Sequence, residues 1–82
     1  MEHDLNEQQG PYEPIDCAFH DELVSWATLQ RPVEIVYKNQ TGDQVTTQSR
    51  IADVFTKDGA EYVRLQNGEI IRLDMLTQVR EI

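Results

Sequence analysis

The apolar spacing of this chain changes period once, at Pro32, and that change dictates what it can fold into. From Cys17 to Gln30 there is neither Gly nor Pro, and Phe19, Leu23, Trp26 and Ala27 fall at i, i+4, i+7 and i+8, which is one stripe of an amphipathic helix. Asp16 stands just before the run, with a side chain able to accept the free amide hydrogens of a starting helix. Pro32 stops it. Beyond Pro32 the period is two: Val33, Ile35 and Tyr37 alternate with Glu34, Val36 and Lys38, the pattern of a half-buried strand.

The rest of the chain continues in strands. Asn39-Gln40-Thr41-Gly42-Asp43 reads as a turn, and a long β-prone stretch from Gln44 to Thr56 follows, expected to bend near Arg50. Lys57-Asp58-Gly59-Ala60 turns the chain again. Glu61–Gln66 and Glu69–Leu73 form a hairpin about Asn67-Gly68, a pair suited to a type I′ turn. Thr77–Glu81 is the last strand. With 82 residues there is room for one domain and too little for a two-sheet immunoglobulin sandwich. The expected fold class is α+β, mostly β: an N-terminal helix covering a small, strongly bent five-stranded antiparallel sheet or partial barrel. Residues 1–10 hold one apolar side chain after Met1 and no periodicity, so they are expected to be a disordered acidic tail ahead of a domain spanning 11–82. Pro11 and Pro14 bracket Tyr12-Glu13 and keep that stretch extended.

Charge is unevenly placed. Residues 1–30 carry Glu2, Asp4, Glu7, Glu13, Asp16, Asp21 and Glu22 with no Lys or Arg, whereas residues 31–82 set eight carboxylates against seven cations, so nearly all of the net −8 lies in the first third. A one-sided field of this kind steers a basic partner and repels a phosphate backbone. One cysteine excludes an internal disulfide, and no apolar run approaches the ~20 residues of a membrane span. A cytoplasmic protein is expected, with no membrane association.

Chemistry-bearing groupings are few. Cys17 and His20 are three apart at a helix start, where a dipole lowers a thiol pKa, but neighbouring carboxylates oppose a thiolate and no orienting group accompanies them. The same pair with Asp21 is short of a metal site. Asp21 and Glu22 point about 100° apart on a helix and do not share a proton. No enzyme activity, cofactor or metal is expected. Arg50, Arg64, Arg72 and Arg80 are interleaved with Asp53, Glu61, Glu69 and Glu81 and read as cross-strand ion pairs on an exposed sheet face.

The segment Tyr12-Glu13-Pro14-Ile15-Asp16-Cys17, then Asp21-Glu22-Leu23, then Glu61-Tyr62-Val63 and Arg72-Leu73-Asp74 resembles the Rof family, the Rho-binding antiterminators of Gram-negative bacteria. The resemblance runs from about Tyr12 to Val79. It implies an Sm-like fold and binding to the hexameric transcription termination factor Rho, at the N-terminal domain that captures nascent RNA, with inhibition of termination. Ile15, Cys17 and Leu23 are expected to pack, and Asp16, His20, Asp21 and Glu22 to face Rho, carboxylates standing in for phosphates. A monomer when free, without direct nucleic-acid binding, is expected. The alternative is an Sm-like RNA-binding protein acting through its Arg-bearing strands.

Overall fold

The computed structural model describes residues 11–82; the expected acidic tail at 1–10 lies outside them. Helix α1 spans Cys17–Leu29 and is followed by strands β1 (Pro32–Lys38), β2 (Gln44–Lys57), β3 (Ala60–Leu65) and β4 (Ile70–Arg72), a 3-10 turn at Leu73–Met75, and β5 (Leu76–Glu81). The strands form one antiparallel sheet in the order β4-β3-β2-β1-β5. The expected architecture, a helix on a bent five-stranded sheet, is the one observed. No helix among the described residues is long and apolar enough to cross a membrane.

The bend is built into β2. Its first half pairs with β1 from Lys38↔Gln44 to Pro32↔Arg50, and its second half pairs with β3 from Ile51↔Leu65 to Lys57↔Ala60. Between Ile51 and Asp53 the register shifts at a bulge, which turns the strand where the sequence places the bend, because the extra residue raises local twist. One strand thus serves two half-sheets, and the core fills the angle between them: Leu23 of α1 with Val33, Ile35, Ile51, Val63, Leu65, Ile71 and Leu73. Along β1 burial alternates through Val33, Ile35 and Tyr37, as period two requires. Phe19, Trp26 and Ala27 flank Leu23 against this core, so the helical stripe packs as its spacing dictates.

Two turns differ from expectation in one respect each. The type I′ geometry lies at Asp58-Gly59, where φ is +53° and +80° and Lys57 pairs directly with Ala60. At Asn67-Gly68 only Gly68 has positive φ. There the Leu65 carbonyl accepts from Gly68 N at 2.9 Å, Leu65 N donates to the Glu69 carbonyl at 2.8 Å, and Asn67 Oδ1 accepts from Glu69 N at 2.9 Å. The loop is therefore three residues long. Asn67 uses its side chain as an acceptor rather than adopting the left-handed backbone. Strand β4 accordingly starts at Ile70 and ends at Arg72, one residue inside the expected span at each end.

Helix α1 ends before Pro32 acts on it. Gln30 adopts φ 56°, ψ 40°, Arg31 N donates to the Trp26 carbonyl at 3.1 Å, and Gln30 N donates to Ala27 O at 3.4 Å, which together make a Schellman termination. A non-glycine residue is held left-handed here by its own side chain. Gln30 Nε2 donates to Ala27 O at 2.7 Å, Gln30 Oε1 accepts from Gln66 Nε2 at 2.8 Å, and the Gln30 carbonyl accepts from Arg50 Nε at 3.0 Å. Helix, bulged strand and hairpin loop meet at this residue. Gln30→Ala removes the side-chain hydrogen bonds, a longer one from Nε2 to the Ile51 carbonyl included, and keeps the left-handed cost, whereas Gln30→Gly removes the bonds and the cost. In urea denaturation both variants should be less stable than wild type, with the glycine variant the more stable of the two by about 1 kcal/mol; the reverse order would exclude backbone strain at this position.

Candidate functional site

The N-terminal face is assembled from pieces far apart in sequence. Residues 11–16 form a strap without regular structure that leads into α1. Asp16 has φ −59°, ψ 138°, an extended backbone that places it at the helix boundary, and its carbonyl accepts the first helical bond from His20 N at 3.0 Å. Its side chain makes no capping hydrogen bond, contrary to expectation. The carboxylate points to solvent instead, and the first turn of α1 contains no acidic residue; Asp21 and Glu22 belong to the second turn.

Three side chains from the other end of the chain hold the strap. Glu61 on β3 accepts from the Tyr12 hydroxyl through Oε1 at 3.2 Å and from His20 Nε2 through Oε2 at 2.7 Å, so one carboxylate joins strap, helix and sheet. Arg72, at the end of β4, donates from Nε and Nη2 to Asp74 at 2.6 and 2.8 Å. It also donates from Nη2 to the Pro11 carbonyl at 3.2 Å, and its guanidinium lies 5.7 Å from the centre of the Tyr12 ring. Asp74 Oδ2 in turn accepts from Glu13 N at 3.0 Å. Ile15 packs onto the core beneath the strap.

Of the residues expected to face a partner, Asp16, Asp21 and Glu22 are exposed. His20 is not free. Its half-buried ring docks on Glu61, because the helix turns it toward β3 at the margin of the apolar stripe. Cys17, expected to pack, is exposed. Ile15, Cys17, His20, Asp21 and Glu61 together line a shallow hollow at the start of α1. Among the described residues no three Cys, His, Asp or Glu side chains are grouped as a metal site.

The strand arginines divide into two kinds. Arg64 meets Asp53 at 3.4 Å and Arg80 meets Glu34 at 2.8 Å, each with the residue opposite it in the ladder, as expected for cross-strand pairs. The Arg80 hydrogen bond holds the Glu34 carboxyl below its ordinary pKa. Arg64 also lies over Phe55, 5.9 Å from the ring centre, and Phe55 stacks on Tyr62 at 5.4 Å. Arg50 and Arg72 depart from the expectation: Arg50, opposite Pro32, donates to the Gln30 carbonyl, and Arg72 is 1% exposed. Its role as the anchor of the strap was missed because alternation along Ile70–Leu73 turns it outward, and only the folded chain shows that Tyr12 and Pro11 return to cover it. No family model matches this chain, and neither a curated protein nor a solved structure does.

Two tyrosines make the fold sensitive to alkali. Burial first, and then the Glu61 carboxylate, pushes the Tyr12 hydroxyl up to about 12; burial and the hydrogen bond to Glu69 do the same for Tyr37, also to about 12. Because both are raised above the unfolded value of about 10, their contribution is whole below pH ~10 and is lost as pH climbs to ~12. Stability measured by urea denaturation should fall across that window, and Tyr12→Phe or Tyr37→Phe should flatten the fall; an equally steep decline in both variants would exclude these hydroxyls as its source.

Proposed function

We propose that this protein is a binding module, not an enzyme, that occupies the RNA-capturing N-terminal domain of the termination factor Rho and blocks RNA loading, as the resemblance to the Rof family implies. One observation supports this reading above the rest. Separate stretches that carry the resemblance close on one another: Tyr12 on Glu61 and on Arg72, and Glu13 on Asp74. A unit built from all of them presents Asp16, Asp21 and Glu22 to solvent. A surface that holds an RNA backbone is basic, so an acidic face can compete for it.

The RNA-binding alternative has less to draw on. Arg64, Arg72 and Arg80 are each engaged by a carboxylate within the fold, which leaves fewer cations for phosphates.

The decisive measurement is RNA-stimulated ATP hydrolysis by Rho with this protein added: inhibition is expected at a few-fold molar excess, and its absence sinks the proposal. Asp21→Lys reverses an exposed charge without touching the core and should weaken binding by about tenfold or more with circular dichroism unchanged. Unaltered affinity would remove Asp21 from the interface. Association should also slow as salt rises, since surface charges are screened over about 8 Å at physiological ionic strength.

A further inference from the structure

The carboxylates of the N-terminal face depend for their position on a segment that has no helix or sheet of its own. The strap reaches α1 only after passing over Arg72 and Asp74, and these two residues take hold of it three times: at the Pro11 carbonyl, the Tyr12 ring and the Glu13 amide. Neither meets solvent enough to meet a partner, with Arg72 1% exposed and the Asp74 side chain 8%. Their opposite charges lie two residues apart and largely cancel at a distance, so they add little to the field outside.

We propose that the Arg72–Asp74 pair is a positioning clasp that fixes the strap and the start of α1, so that partner binding at the acidic face depends on two residues no partner touches. This rests on the binding function proposed above. The pairing of β4 with β3 does not run through the ion pair, since it has its own ladder, Tyr62↔Arg72, Val63↔Ile71 and Arg64↔Ile70. What the ion pair holds across the chain is the strap, 61 residues away in sequence. Glu61 makes the second attachment, to Tyr12 and His20, and the helix start is pinned between the two. With the clasp open, Asp16, Asp21 and Glu22 keep their charges but sample many placements, and each binding event must order them again.

Asp74→Asn tests this in the full chain, since it keeps the shape of the side chain and alters no exposed charge. Arg72→Lys is the second variant: it retains the cation while losing the planar fork that reaches both Asp74 and Pro11. Amide hydrogen exchange and backbone relaxation of the free protein should show the Glu13 amide and residues 12–20 losing more protection than β1 to β3 in both variants, and most in Asp74→Asn. Affinity for the Rho hexamer by calorimetry should fall about tenfold, as for one charge-assisted hydrogen bond, with the salt dependence unchanged in Arg72→Lys, which keeps both charges of the pair. A strap as protected as in wild type would overturn the clasp, and so would a loosened strap that binds Rho undiminished. If the wild-type protein itself has no affinity for Rho, the proposed function falls, and the exchange measurement alone decides whether the clasp exists.

Discussion

An arginine guanidinium withdrawn from water has to find its hydrogen bonds and its counter-charge inside the protein, and in this chain Arg72 draws Pro11 and Tyr12 over itself to do so. Asp74 supplies the charge in a forked pair, the Pro11 carbonyl accepts a further bond, and Tyr12 offers its ring face. Removing one partner from a buried ion pair costs about 3–5 kcal/mol, a large share of the stability expected for a domain of this size. The strap is therefore more than a cover laid over a finished sheet. It is one of the groups that make burial of Arg72 tolerable.

Against that anchor the distribution of charge becomes intelligible. On the strands, cations sit opposite carboxylates, Arg64 with Asp53 and Arg80 with Glu34, so the sheet presents a largely neutralised surface. At the start of α1, Asp16, Asp21 and Glu22 stand exposed in a stretch where residues 1–30 contain no Lys or Arg at all. Among the described residues, folding pairs off Arg64 and Arg80 and leaves Asp16, Asp21 and Glu22 bare.

Most of the fold was legible in the sequence, for a physical reason: helix stripe, strand alternation and turn residues are local signals. Leu23 in the stripe, Val33, Ile35 and Tyr37 in alternation, and the bend in the long second strand all stand where their spacing puts them. The turns were half legible, since Asp58-Gly59 and Asn67-Gly68 are both able to adopt positive φ and only the register of the flanking strands chooses which does. At the candidate site, the exposed carboxylates were readable from charge. The posture of His20, the exposure of Cys17 and the burial of Arg72 were not. Two of these are set by residues brought in from across the chain: Glu61 for His20, and Pro11 and Tyr12 for Arg72. No pattern within a window of ten residues carries that information.

The outer strand β5 pairs with β1, Val33 meeting Glu81 and Tyr37 meeting Leu76, and Trp26 of the helix donates to Glu81 at 3.2 Å. Elements early in the fold therefore find their partners late in it. A growing chain that has made α1 and β1 has no Glu61, Arg72 or Asp74 to seat the strap, and no β5 to cover the edge of β1. Loop closure over such separations is slow, so the acidic face should mature late in folding, and a copy clipped ahead of β3 would carry the charges without the surface.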